Sequence, residues 1–489
     1  MRTMPGQGTD QEELFALMEK MKHQDTKWRE GQTFCLVYDG GKEISEVNKR
    51  AYNLYMSENG LNPSAFPSLK EMENDVVSIL AHQLGSTGEV TGTMTSGGTE
   101  SILMACKAAR DWARQNLKIT GTPQILMPVS AHPAFHKAAH YFDIEVVTVA
   151  LCDNYRVNIE LMKNAITEQT IMLVGSAPNY PFGVIDPIGE ISKLAQDHGL
   201  WCHVDACIGG ILLPFYRKLG QAVPPFDFTL PGVTSLSVDL HKYAYAAKGA
   251  SVVLYKNAEY RRHQFFITTD WPGGIYASPS MTGTRPGGAI ASAWAMLHFL
   301  GEEGYLELVG TIKQTTEEFY RRIEALDGVK TVVKPEMSLI ALASDQHDIY
   351  QIGDEMSLRG WYMDRQQFPP SLHLTVMAGH AHSIDRFFSD LQASILEVQK
   401  FSNRMSHTQT QIKKALIRSM PKGIISALVK KEVRAIRQSG GVIPKKTAPM
   451  YGMLTSIETQ GDVEKLVLNI MDSMFDQSLP VNNSVKDVS

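Results

Sequence analysis

The chain is short of the features that mark secreted, membrane-spanning and nucleic-acid-binding proteins. It has five cysteines in 489 residues. That number is odd and no cysteine sits at a metal-ligand spacing, which argues against a disulfide framework or a metal centre and for reduced thiols. A basic excess is missing too. Lys and Arg total 47 against 52 Asp and Glu, a net charge of −5, so the surface that would neutralise a nucleic-acid backbone is not expected. No apolar run approaches the roughly 18 residues needed to cross a bilayer. The longest, around Ile208–Tyr216, is broken by glycine and proline. The opening residues, MRTMPGQGTDQEE, have no apolar core after their basic residue, unlike a secretory signal. These absences set the expectation of a soluble cytoplasmic protein, without nucleic acid as a partner and without a metal.

What is present is a large globular composition. Hydrophobic residues make up 43% and charged residues 20%, and the length calls for two or three domains. Residues 1–58 read as an N-terminal helical arm, periodic over Glu12–Met21 and Ile44–Tyr55. Residues 59–304 read as a large domain. Seven β-rich runs recur there: Glu89–Thr95, Gln124–Val129, Glu145–Ala150, Ile171–Gly175, Trp201–Asp205, Ser235–Val238 and Ser251–Tyr255. Amphipathic stretches such as Ser101–Gln115, Ala134–Tyr141 and Ile188–His198 alternate with them. That alternation predicts an α/β fold, a mostly parallel seven-stranded sheet covered on both faces. Its ligands should bind in the loops after the strands. Residues 305–478 read as a smaller α+β domain, with a helix at Tyr305–Leu326 and strands at Leu339–Ala343 and Leu372–Val376. It carries an insertion at 401–449 and is followed by a tail at 479–489.

Four short segments after predicted strands carry chemistry, and each is weak alone. Thr95-Ser96-Gly97-Gly98-Thr99-Glu100-Ser101 offers close backbone approach and a helix start to a phosphate, although such loops also serve as plain turns. In His203-Val204-Asp205-Ala206 the carboxylate can hold a pyridine nitrogen protonated, or can simply cap a strand end. In Ser237-Val238-Asp239-Leu240-His241-Lys242 a partly buried lysine can act as an imine-forming amine, or lie solvated in a loop. Ser130-Ala131-His132 supplies an imidazole able to stack on a flat ring, or an ordinary surface histidine.

Taken together, in this order on successive strand ends, the four segments resemble the pyridoxal 5′-phosphate (PLP)-dependent group II decarboxylase superfamily. The resemblance implies the fold-type I, aspartate aminotransferase-like architecture. It assigns Gly97, Gly98, Thr99 and His241 to the cofactor phosphate, Asp205 to the pyridine nitrogen and His132 and Ala206 to the two ring faces. Lys242 is then the amine that captures the cofactor's aldehyde. Further segments narrow the likeness to the sphingosine-1-phosphate lyase (sphinganine-1-phosphate aldolase) family. They are Phe66-Pro67-Ser68-Leu69, the run from His241 through Gly249, the run from Phe265 through Tyr276, Gly283-Thr284-Arg285-Pro286-Gly287-Gly288 and Ala448-Pro449-Met450-Tyr451-Gly452-Met453. That likeness implies retro-aldol Cα–Cβ cleavage of a sphingoid base 1-phosphate, an amphiphilic phospho-amine, to a long-chain aldehyde and phosphoethanolamine. It also implies a homodimer with shared sites, in which the turn containing Gly283 reaches the neighbouring subunit's cofactor phosphate. Tyr38, Tyr180 and Lys248 are placed near the substrate by the same likeness, with Tyr38 or Tyr180 as proton relay.

One departure stands out. The family commonly shows Asn-Pro-Leu-His-Pro where this chain has Asn59-Gly60-Leu61-Asn62-Pro63. Asn59 and Asn62 remain substrate-binding candidates, but Asn62 brings no positive charge to a phosphate. An amino-acid decarboxylase, a lyase of an unphosphorylated or shorter β-hydroxy amine and a non-catalytic scaffold stay open as alternatives. In the insertion, residues 411–437 place Ile412, Leu416, Met420, Ile424 and Leu428 at helical spacing among lysines and arginines. This pattern suits peripheral contact with an anionic membrane surface or packing on the protein itself.

Overall fold

The computed structural model describes residues 4–404 other than residue 24, together with Ala448, Glu464, Val467, Leu468, Met471 and Asp472. The elements, in chain order, are helices α1 (Gln11–Lys22), α2 (Lys42–Leu54) and α3 (Pro67–Gln83), strand β1 (Thr91–Thr95), α4 (Gly98–Asn116), β2 (Gln124–Pro128), α5 (Ala134–Phe142), β3 (Glu145–Val149), α6 (Ile159–Asn164) and β4 (Thr170–Ser176). There follow α7 (Ile188–Asp197), β5 (Trp201–Asp205), α8 (Gly209–Lys218), β6 (Ser235–Val238), β7 (Ser251–Tyr255), α9 (Ala258–Arg262) and a hairpin of β8 (Phe266–Thr268) and β9 (Tyr276–Ser278). The remainder is α10 (Gly287–Glu324), β10 (Lys330–Thr331), β11 (Leu339–Ala343), α11 (Ile349–Leu358), β12 (Asp364–Gln367), β13 (Pro370–Thr375) and α12 (Ile384–Arg404).

Strands β4, β5, β6 and β7 are buried at every position, as near-continuous apolar runs covered on both faces must be. The seven strands order as β1-β7-β6-β5-β4-β2-β3. Only β7 runs against its neighbours. The carboxyl ends of β1, β2, β4, β5 and β6 therefore share one edge, and the loops after them share one space. Side chains alternate between faces. Ile125, Met127, Val253 and Tyr255 pack with Leu103 of α4 and Phe135 of α5. The intervening Leu126, Val252 and Leu254 pack with Leu80 of α3, Ile191 of α7 and Leu212 of α8.

A second sheet, β10-β11-β13-β12, is antiparallel throughout. The N-terminal arm is fastened to it. The Phe34 N–H donates to the Tyr362 carbonyl at 3.0 Å, and the Thr375 N–H donates to the Phe34 carbonyl at 2.9 Å. The Phe34 ring is fully buried, edge-on to Phe319 at 5.6 Å and Phe387 at 5.2 Å and stacked on His380 at 4.1 Å.

All seven predicted strands of the large sheet are present within two residues of their expected limits. The helix expected at Tyr305–Leu326 is longer, beginning at Gly287 and interrupted at Gly301, whose φ of 55° and ψ of −170° break the helical path. The early half escaped notice because it opens on two glycines. A Cβ at Gly287 would lie 2.7 Å from the Glu58 carbonyl, and one at Gly288 would lie 2.9 Å from that of Tyr52. Glycine is thus required there by close backbone approach. Helix α3, the β8–β9 hairpin and the half-buried polar strand β12 were not foreseen. The expected membrane-contact segment 411–437 and the tail at 479–489 lie outside the described residues. Among the described residues, no helix is long and apolar enough to cross a membrane.

Removing the arm's anchor should be costly. Phe34→Ala is expected to lower unfolding stability by about 3–5 kcal/mol, as for other buried Phe→Ala changes, measured by urea denaturation.

Candidate active site

The shared strand edge gathers most of the chemistry. Past β6 the chain turns so that Lys242 Nζ lies 2.9 Å from Asp239 Oδ2. Burial alone would draw the lysine down, but Asp239, helped by Tyr38 and Cys207, overrides it and holds the amine above its usual range. Burial likewise pushes the Asp239 carboxyl up, and Lys242 and His241 outweigh it, leaving the group below its ordinary value. Each charge exists because the other does. The His241 imidazole is held by an Nδ1 contact to the Ala250 carbonyl at 2.8 Å, with Nε2 3.9 Å from Asp239 Oδ2.

Asp205 ends β5. Its Oδ1 accepts from the Cys207 N–H at 3.1 Å and from the Ser237 hydroxyl at 3.3 Å. Among the described residues no donor is bonded to Oδ2. His132, after β2, feels Asp205, Lys242 and Asp239, yet burial still pulls its pKa down. The residue keeps part of its surface exposed, and the lowered value favours the neutral imidazole. Its Nδ1 accepts from the Ala134 N–H at 3.1 Å.

The helix start facing this cluster is glycine for a physical reason. A Cβ at Gly98 would sit 2.7 Å from Asp239 Oδ2 and 2.9 Å from Cys207 Sγ. At Gly97 an added Cβ would meet nothing within 4 Å, so open space fronts the first turn of α4. No side chain among the described residues accepts from the Gly97, Gly98 or Thr99 amides. Glu100 turns away, accepting from the Ser96 and Met281 N–H groups.

A second group of residues comes from the arm, the loop after β4 and the small sheet. Tyr38 meets Tyr243 edge-on at 4.9 Å, and Lys248 Nζ stands 5.4 Å above its ring. Burial, opposed by Lys242, pushes the Tyr38 phenol up to about 12. The Tyr180 hydroxyl donates to Asp364 Oδ2 at 2.9 Å, and its ring stacks on His373 at 3.9 Å. Burial and then Asp364 drive the Tyr180 phenol far above its normal range. Asp364 and His373 are register partners on β12 and β13, and with Asp239 they are the members that sequence reasoning missed. Asp239 stands three residues before Lys242, a readable spacing. Asp364 and His373 had no local signal.

The remaining predicted positions lie apart. Asn59 Oδ1 accepts from the Leu61 and Arg285 N–H groups at 2.9 and 3.0 Å. Asn62 Oδ1 accepts from the Ser64 N–H at 3.0 Å. Both side-chain carbonyls are thus spent on local turns, leaving their amide NH₂ groups for a ligand. Gly283 follows β9, where an added Cβ would come closest to the Tyr276 hydroxyl, at 3.9 Å. No contact joins it to the Lys242 cluster of its own chain among the described residues. Arg285 beside it is tied to Glu73 of α3 and to the Gly60 carbonyl.

This arrangement suits a phosphorylated pyridine aldehyde. It offers one amine, an acceptor-only carboxylate with a free oxygen, an open glycine-fronted helix start, and buried Asp239 Oδ1 and Ser130 Oγ atoms without partners. Fold and site define a fold-type I pyridoxal-phosphate enzyme. Residues 11–344 match the pyridoxal-dependent decarboxylase conserved domain. The chain is 43% identical to sphingosine-1-phosphate lyase 1 of Rattus norvegicus, across 82% of this chain and 71% of that one. It is 38% identical to the sphingosine-1-phosphate lyase of Dictyostelium discoideum, across 97% and 82%. The solved Burkholderia pseudomallei sphingosine-1-phosphate lyase superposes with a TM-score of 0.78 at 37% identity, covering 86% of this chain and 98% of that one. The chain belongs to the sphingosine-1-phosphate lyase family, and it is a PLP-dependent lyase.

Lys248 gives the site a pH signature. Burial and then Lys242 draw its amine down to about 8, so it is a cation below that pH and neutral above it. Inhibition by inorganic phosphate should weaken as pH rises through about 8, and Lys248→Met should remove that step, measured as inhibition constants across the range.

Proposed function

We propose that this chain cleaves the Cα–Cβ bond of sphingoid base 1-phosphates, giving a long-chain aldehyde and phosphoethanolamine. The observation that carries the reading is the Lys242–Asp239 pair at 2.9 Å, set on the same strand edge as Asp205 and His132. When bound, PLP supplies an electron sink for the pair released by the breaking bond.

The roles of the chain's own groups follow from their surroundings. Asp239 holds Lys242 Nζ in place as a cation, and loss of one proton frees the lone pair that captures an aldehyde. Asp205 Oδ2 would meet the pyridine nitrogen, and His132 and Ala206 would bound the two faces of the ring. The Gly97, Gly98 and Thr99 amides receive the cofactor phosphate at the helix start. His241 joins them through Nε2, since Nδ1 is committed to Ala250, and the phosphate charge favours its protonated form. Tyr180 keeps its proton and donates its hydrogen bond to Asp364, which leaves the phenol oxygen to accept a hydrogen bond from the substrate's β-hydroxyl. Tyr38, beside Lys242, would relay the β-hydroxyl proton to the neutral Lys242 amine, which takes it up to become a cation again. Lys248 answers the substrate phosphate as a point charge, with the Asn59 and Asn62 amides as neutral donors.

The active form we propose is a homodimer with shared sites. Support comes from the β8–β9 hairpin, whose Phe266, Ile267, Trp271 and Ile275 are exposed in the single chain, more apolar surface than a hairpin tip normally leaves in water. The Gly283 turn follows directly. Sedimentation should give twice the chain mass, and a monomer at micromolar concentration would remove this part of the reading.

The decisive assay is aldehyde release from sphinganine 1-phosphate. The purified protein should carry a visible PLP absorbance and form aldehyde, and Lys242→Ala should abolish both the covalent absorbance and turnover. Carbon dioxide release from an amino acid, without aldehyde, would overturn the proposal.

A further inference from the structure

Strands β5 and β6 carry a run of polar side chains through an otherwise apolar core. His203 and Ser235 are register partners, as are Asp205 and Ser237. Trp201, His203 and Asp205 therefore point to the same face as Ser235 and Ser237. Trp201, His203, Ser235 and Ser237 are wholly buried. Each is hydrogen-bonded to the next. The Trp201 Nε1–H donates to Ser235 Oγ at 2.7 Å, Ser235 Oγ lies 2.8 Å from His203 Nδ1, His203 Nε2 lies 3.4 Å from Ser237 Oγ, and Ser237 Oγ is 3.3 Å from Asp205 Oδ1.

The two ends fix the direction of the whole series. An indole N–H can only donate, and a carboxylate can only accept. Ser235 Oγ receives the indole proton, so its own hydrogen must go to His203 Nδ1. The neutral imidazole then carries its proton on Nε2 and donates to Ser237, which donates to Asp205. In the reverse tautomer Ser235 would face two donors, and its hydroxyl hydrogen would have no acceptor among the described residues. That costs about 1–3 kcal/mol in a buried site and strips Asp205 of a donor. The Cys207 Sγ–H also donates to Ser237 Oγ, at 3.3 Å, so the serine's hydrogen is left for the carboxylate.

We infer that this one-directional chain, Trp201 to Ser235 to His203 to Ser237, positions the Asp205 carboxylate. The inference rests on the reading that Asp205 meets the pyridine nitrogen. Ser237 and the Cys207 N–H pin Oδ1, so Oδ2 is the oxygen left facing the cavity. Aligned hydrogen bonds polarise one another in a low-dielectric core, so the series holds Oδ1 in one orientation. With Oδ1 held in place, Oδ2 would be the oxygen presented to the pyridine nitrogen of PLP, whose chemistry is that of an electron sink. His203 stays neutral throughout, because burial holds it at about 4 against the pull of Asp205. It is a positioning residue, and it carries no proton in the reaction.

The test begins with the apo protein and needs neither cofactor nor substrate. Nitrogen-15 NMR of histidine-labelled chain should show His203 as the Nε2–H tautomer, unchanged between about pH 5 and 8, where an ordinary imidazole titrates. An Nδ1–H tautomer or an imidazolium would overturn the inference. In the holoenzyme Ser237→Ala should lower kcat about tenfold, the loss of one hydrogen bond to a charged group, with KM unchanged. Ser237→Thr, which keeps the hydroxyl, should restore most of it. An unaltered kcat in Ser237→Ala, or an equal loss in both variants, would also overturn it. Absence of aldehyde formation by the unmodified enzyme would defeat the proposed substrate while leaving the tautomer result to stand or fall separately.

Discussion

A charged amine and a charged carboxylate share a pocket that neither could enter alone. Burial disfavours both Lys242 and Asp239, and each stays ionised through the other, 2.9 Å away. A buried pair of this kind depends on fixed geometry, because loss of alignment leaves an uncompensated charge. The turn after β6 supplies it. Backbone bonds from the Lys242 N–H to the Asp239 carbonyl and from the Tyr245 N–H to the Lys242 carbonyl close the segment. Gly98 lets the start of α4 come down onto the carboxylate. The glycine-fronted helix start, the Lys242 amine and the Asp205 strand end thus have a common support.

The small sheet forms the other wall of the site. It holds Tyr180 through Asp364 and His373, and it holds the arm bearing Tyr38 through the buried Phe34 ring. The rings of Phe34, Phe319, Trp361 and Phe387 look like ordinary core, yet their packing determines where a phenol stands relative to Lys242. Stability and site geometry are coupled here through one short stretch of chain, residues 33–38, in which an apolar anchor is followed four residues later by the Tyr38 phenol.

The large sheet and its strand-end motifs were legible because buried parallel strands demand continuous apolar runs and because phosphate, imine and pyridine chemistry each ask for distinctive groups. Glycines after a strand, a lysine after a strand and a carboxylate at a strand end can be recognised locally. Asp364 could not be, since β12 is short, polar and half-buried, and its meaning comes from Tyr180, 184 residues earlier. His373 reads as one more core histidine until its ring is found beneath that tyrosine. The early half of α10 was hidden by glycines whose purpose is to meet the Glu58 and Tyr52 carbonyls, a contact that nothing nearby in the chain announces.

By itself, the sequence determined the alternation of strands and helices, the order of the strand-end motifs along the chain, and so the class of chemistry. These depend on local spacing and side-chain identity, which folding does not alter. Tertiary structure alone decided which oxygen of Asp205 is free, which serines the two His203 ring nitrogens face, which group accepts the Tyr180 hydrogen bond and what keeps Lys242 charged. Each of those is a matter of direction or distance between residues far apart in the chain, and hydrogen bonds and buried charges are governed by direction and distance.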